Sequence, residues 1–193
     1  MKKNFVKIIS LLMAAVMIFA LAACGAKEEP KAPEVNITDA LELMNTVWAG
    51  YEDADKFPAA GGDFTEENAV MDGPGKFGLE DADYVLSMFC LPADCIGMVA
   101  DGASLFHMMN TNTFTAAAFH VKNADDAAKL AEAVRNSIKD NQWMCGIPDK
   151  LVVMTVGNYV VSAFGEEELI NTFKAKTLSA YDMAQTLFEE SVL

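Results

Sequence analysis

The chain has 193 residues, 52% of them hydrophobic and 22% charged, with 14 basic against 28 acidic side chains and a formal charge of −14. A chain this apolar is not disordered, and its length suits one principal domain. With Lys2, Lys3 and Lys7 set aside, the remainder carries −17, which repels phosphate backbones and anionic headgroups and excludes nucleic-acid binding.

The first 24 residues read in three parts. Lys2, Lys3 and Lys7 make a positive start without acids, residues 8–20 are uncharged and mostly apolar, and Leu21-Ala22-Ala23-Cys24 follows at once. Small residues let a chain lie extended in a peptidase cleft, and the cysteine just beyond them resembles the bacterial lipobox. That resemblance implies a diacylglyceryl group on the Cys24 thiol, cleavage between Ala23 and Cys24, and acyl chains of the palmitate kind in the membrane. The apolar span 8–23 falls short of the ~20 residues a crossing helix needs. Two acyl chains at ~0.8 kcal/mol per buried methylene hold stably where one would not. The expected organisation is therefore a lipoprotein signal peptide over 1–23 and a tether over 24–35, stiffened by Pro30 and Pro33 and reaching roughly 18 Å. A single domain over 36–193 follows, anchored to the cell membrane on its extracytoplasmic side.

In that domain Ile37, Leu41, Met44 and Trp48 recur at helical spacing, with Thr38 or Asp39 as cap and Asp39/Glu42 at capping-box spacing. Residues 52–79 hold Pro58, Gly61-Gly62, Gly73-Pro74-Gly75 and Gly78, and predict a long structureless loop, functional or mobile. Residues 79–91 and 92–100 predict two short helices, with Pro92 in the first turn of the second. Residues 104–110 and 113–121 are β-prone about a Thr111-Asn112 turn. Asn123 then caps a helix from Ala124 to about Asn141, with Ala127, Leu130, Ala131, Val134 and Ile138 as its buried stripe.

Residues 151–156 and 159–164 flank Gly157-Asn158, a two-residue hairpin loop with glycine first, as a type II′ turn requires; Asn158→Gly is expected to be nearly neutral. Glu166-Glu167-Glu168 opens the next helix at its positive dipole end, with Leu169, Ile170 and Phe173 inward. Ser179 with Asp182 predicts a last helix carrying Met183, Leu187 and Phe188.

The order predicts an α+β fold. An antiparallel four-stranded sheet is built from two ββα units with helices packed on one face, preceded by an N-terminal helix and a long loop. Val152, Met154, Val156, Tyr159, Val161 and Ala163 share one face of the second hairpin, and Leu151, Val153, Val160 and Phe164 share the other. Both faces are apolar, so that hairpin belongs at the sheet centre with the N-terminal helix or a partner on the second face.

A lipobox, a first helix, a Pro/Gly loop, a strand over 114–121, a long helix, Pro148 before a strand and Gly157-Asn158-Tyr159-Val160 occur in that order. Together they resemble an uncharacterised family of Gram-positive lipoproteins, a domain of unknown function. The resemblance implies location and anchoring and assigns no residue a role.

Candidate chemistry is thin. Cys90 and Cys95 could bridge, or one of them could pair with Cys145, but no framework pattern exists, and their apolar neighbours favour buried free thiols. A two-residue turn at Thr111-Asn112 would set His107 opposite Ala116, roughly 13 Å from His120, too far to share an ion. Strand alternation sends Met108 away from His107 and Met109, so the three serve as core filler and not as a copper site. The acids of 52–83 match no EF-hand, and residues 73–78 lack the phosphate-loop spacing. No cofactor, metal or nucleic-acid partner is expected. Two function classes remain: a non-enzymatic binding or interaction module at the cell surface, using the long loop or an exposed sheet face and taking an unidentified protein or small molecule, a cationic one suiting the acidic surface, or a cell-envelope hydrolase with a carboxylate pair in 52–83.

Overall fold

Eight strands form one antiparallel sheet in this computed structural model, which describes residues 36–193 apart from Phe64 and Glu66. The signal segment, Ala23, Cys24 and the tether lie outside the described residues. Among the described residues no helix is long and apolar enough to cross a membrane.

The two hairpins read from the sequence form the centre of the sheet. Strands β4 (Val99–His107) and β5 (Phe114–Val121) pair, as do β6 (Lys150–Val156) and β7 (Tyr159–Gly165), and β5 lies against β7. Val156 pairs with Tyr159, and Gly157 between them has φ +58, as the glycine-first turn demands. Gly157→Val should therefore destabilise the domain by on the order of 1–3 kcal/mol, read from the urea midpoint of residues 36–193; an unchanged midpoint would mean the strain is absent.

The four-stranded expectation is corrected to eight. Strands β1 (Ala59–Gly61), β2 (Val70–Met71) and β3 (Gly75–Phe77) occupy the predicted loop, with β1 and β3 both paired to the outer edge of β4. Close glycine contact makes this possible. A Cβ on Gly61 would sit 2.3 Å from the Gly75 nitrogen, and the buried Ser104 hydroxyl both accepts from Gly62 N (2.9 Å) and donates to Gly62 O (2.8 Å). On the far edge, the predicted last helix is strand β8 (Gln185–Ser191), paired to β6. Pairing with the open edge of β6 outweighs the capping spacing of Ser179 and Asp182.

Helices cover both faces, not one. Helix α1 (Ala40–Ala49) and helix α4 (Glu167–Ala180) pack with Val152, Met154, Val161 and Ala163. Helix α2 (Ala82–Phe89) and helix α3 (Ala127–Asp140) lie with Leu151, Val153, Val160 and Phe164 on the other face. The hairpin faces and the N-terminal helix on the second face are as expected, but α3 and α4, the helices of the two ββα units, take opposite faces. Asp39 caps α1 through Glu42 N (2.9 Å), while the Glu42 carboxylate reaches back to Thr38 N (2.8 Å). The buried stripe of α1 is Ala40, Leu43, Met44 and Val47, one step round from the predicted one, with Leu41 and Trp48 at its margin. Pro92 precedes a 3-10 helix, Ala93–Met98. Asn123 precedes another, Ala124–Asp126, and its side chain meets Asp126 without making a cap bond. The predicted stripe of α3 is buried throughout.

Candidate functional site

The sheet has two ends of different character. At the hairpin end, level with Val156 and Tyr159, residues 36–39 arrive. The Tyr159 hydroxyl donates to Ile37 O (3.0 Å), and Lys76 pairs with Asp39 (2.8 Å). Asp101 accepts from Ala40 N (2.8 Å) and meets His120 Nδ1 (2.7 Å), whose Nε2 meets Asn158 Nδ2 (2.8 Å). The ring stacks on Tyr159 at 4.5 Å between centroids. This Asp–His–Asn chain resembles part of a hydrolytic triad, but every polar atom of the ring has a partner and no hydroxyl or thiol faces it in those contacts. It fastens the start of α1 to the sheet. Asn158, whose change to glycine is expected to be nearly neutral, contributes its side chain to that fastening.

His107 lies at the other end. Phe106 pairs with Thr115, so His107 falls opposite Phe114 and not Ala116, and the turn is the longer Met108–Thr113. Asn110 accepts from Asn112 N (3.0 Å), tying that turn through its side chain. Six strand residues then separate the levels of the two histidines, roughly 20 Å. His107 stacks on Phe57 (5.7 Å).

This loop end gathers the Met108–Thr113 turn, the 141–149 loop, the start of α4 and residues 192–193. Asn112 joins the first two by donating to Met144 O (2.6 Å) and Gly146 O (2.7 Å). Met108 and Met109, expected in the core, are exposed, and Met109, Met144 and Leu193 are 77%, 79% and 84% accessible, with Ile147 also out. Cys145 is exposed too, with φ +64, whereas Cys90 and Cys95 are buried as expected and burial pushes the Cys90 thiol up to about 12.

Two clefts open here, of about 640 and 410 Å³, sharing Ile147, Pro148, Asp149 and Glu167. Carboxylates rim both. Glu189 bonds Lys150 (2.8 Å) and Lys174 (2.8 Å), which hold it below its usual range, and its hydrogen bond in turn holds Lys150 high. Glu190 is held low by Arg135 (Nη2–Oε2 2.7 Å). Glu167 lies 3.6 Å from Lys150. Among the described residues, no ion pair engages Asp149, Glu166 or Glu168.

The acids of 52–83 are largely used in folding. Asp63 accepts from Thr65 N (2.9 Å), the Thr65 hydroxyl, Asn68 Nδ2 (2.9 Å) and Gly78 N (3.0 Å). Burial pushes Asp63 up, but these bonds from Thr65, Gly78 and Asn68 outweigh it, so the carboxyl sits below its usual range. Its stabilisation is present above about pH 4 and lost as pH falls below that. Asp63→Asn should cost about 1–2 kcal/mol at pH 7 and flatten the decline below about pH 4; a parallel decline would show that Asp63 does not carry it. Asp63, Glu80 and Asp81 line a hollow of about 420 Å³ with Tyr84. Among the described residues, no group of three or more His, Cys, Asp or Glu is placed to hold a metal.

The chain matches no family model, no curated protein and no solved structure.

Proposed function

We propose that this chain is a lipid-tethered, non-enzymatic interaction module on the extracytoplasmic face of the cell membrane, docking a partner at its loop end. The lipobox at Cys24 supports the anchor. One structural observation supports the docking site: among the described residues, the most exposed large apolar side chains, Leu193, Met144 and Met109, belong to the loop end. Residues 36–39, where the described part of the chain begins, lie at the opposite end of the sheet from these side chains. Among the described residues, helices cover both faces of the central strands β4 to β7, while the edge strands β2 and β8 are mostly exposed.

The hydrolase alternative has the Asp63/Glu80/Asp81 hollow in its favour. Asp63 there is a saturated acceptor held in its ionised form, which suits a structural knot better than proton donation.

Cys24→Ala should release the chain from the membrane or leave an unprocessed precursor; mature, membrane-bound protein would sink the anchor. Topology has a natural reporter in Cys145, the exposed thiol, beside buried Cys90 and Cys95. A membrane-impermeant maleimide should label intact cells once, and Cys145→Ser should abolish it. Labelling only after lysis would place the domain on the wrong side.

A further inference from the structure

The geometry points to a basic segment of a protein partner, lysine or arginine beside large apolar side chains, as the occupant of the loop-end groove; this rests on the docking reading above. The two clefts meet along Ile147 and Pro148, with Leu193 flanking one of them and Met144 in the same loop. Ile147, Pro148 and Leu193 supply apolar contact in the clefts, where Lys150 is already paired with Glu189, and the unbranched Met144 beside them adapts to varied side chains. Around this floor Asp149, Glu166 and Glu168 lack cationic partners among the described residues, while Glu167, Glu189 and Glu190 are already paired within the domain. The start of α4 would otherwise favour an anion, but its own carboxylates repel one.

Other occupants fit less well. Among the described residues, a second copy of this chain has few cations to offer, because Lys56, Lys76, Arg135, Lys150, Lys174 and Lys176 all sit in internal ion pairs. Anionic lipid and nucleic acid are repelled by the overall charge. A small molecule would want convergent buried polar groups, whereas the carboxylates here stand at the exposed rim. A basic segment gains both terms: apolar contact on the floor, and rim charge that steers its approach.

The test measures fluorescence anisotropy of labelled octapeptides with the full-length chain in neutral maltoside micelles. The peptides are Lys-Leu-Lys-Gly repeated twice, the same with Ser for Leu, and the same with Glu for Lys. Two charge reversals of equal size are compared: Glu166→Lys with Glu168→Lys at the groove, and Asp125→Lys with Glu132→Lys, exposed on the α3 side. Both carry the same net charge in the same micelle, so their difference reports the groove.

The Lys/Leu peptide should bind wild type, lose about tenfold on the groove reversal, and lose less than about threefold on the distant one. Raising salt from about 0.05 to 0.5 M should weaken it further. The Lys/Ser peptide should bind at least about fivefold more weakly, since each buried leucine contributes of order 1 kcal/mol. Equal losses for both reversals, equal binding of the Glu/Leu peptide, or no binding of Lys/Leu would each overturn the proposal. Glu166→Gln with Glu168→Gln, which removes charge without adding lysine at a helix start, guards against a folding artefact and should show an intermediate loss. If the basic peptide fails while a photoreactive residue at position 144 still captures a protein in intact cells, the occupant is wrong and the docking reading stands. Failure of both removes the docking reading itself.

Discussion

Gly62→Ala is expected to cost the domain about 3 kcal/mol or more, through strain at an unsuitable φ together with backbone overlap. Gly62 has φ +87, and a Cβ there would lie 1.9 Å from Asn68 O, a backbone atom with no rotamer to relieve it. Gly62 N and O are also both bonded to the Ser104 hydroxyl, so a shift of the chain would strand a buried group. Gly97→Ala is the matched control. Its Cβ would meet nothing within 4 Å, and the change should be within about 0.5 kcal/mol. Urea midpoints of residues 36–193 at unchanged slope measure both. A Gly62→Ala protein as stable as Gly97→Ala would mean that the 59–78 segment is not folded against β4.

Phe114→Ala is expected to cost about 3–5 kcal/mol, the range for deleting a fully buried phenylalanine. Phe114 is wholly buried at the start of β5, 4.9 Å from Phe57 and 5.6 Å from Phe173 by ring centroids. Through Phe57 it reaches Trp48 and His107, so one ring connects α1, the 50–58 segment, β4 and α4. Phe114→Leu keeps most of the volume and should cost less than half as much. Equal losses would mean that aromatic shape, not cavity volume, is what the cluster needs. A loss below about 1 kcal/mol would mean that the cavity collapses freely.

Periodicity carried the centre of this fold. The stripe of α3 repeats at three and four, and the β6–β7 hairpin alternates with glycine at its turn, so their faces and register are legible residue by residue. The edges were not. Strands β1, β2 and β3 are two or three residues long, too short to show a period, and depend on Gly61, Gly62 and Gly75 fitting against one another. Residues 185–191 suit a strand or a helix locally, and only the open edge of β6 decides between them. In the strand, Glu189 turns to Lys150 and Lys174 while Glu190 turns to Arg135 on the opposite face. That alternation is visible only once the pairing is known.

The candidate site was legible only in fragments. Met108 and Met109 read as core because a two-residue turn would have left them in strand, and the side-chain bonds of Asn110 and Asn112 lengthen that turn. Glu166-Glu167-Glu168 read as helix support, which accounts for their place in α4 but not for the groove beside them. The one sequence signal for the groove is Met144 to Ile147, apolar residues between turn formers with no helical or strand period to bury them.

Photocrosslinking in intact cells shows whether a protein docks at the loop end. A photoreactive residue is placed at position 109 or 144 on the loop end, or at position 125 on the hairpin-end side, in the full-length chain. A discrete protein adduct is expected from 109 and 144, weakened by Glu166→Lys with Glu168→Lys, and none from 125 at equal expression. Adducts from 125 alone, or the same adducts from all three positions, would contradict docking at that end.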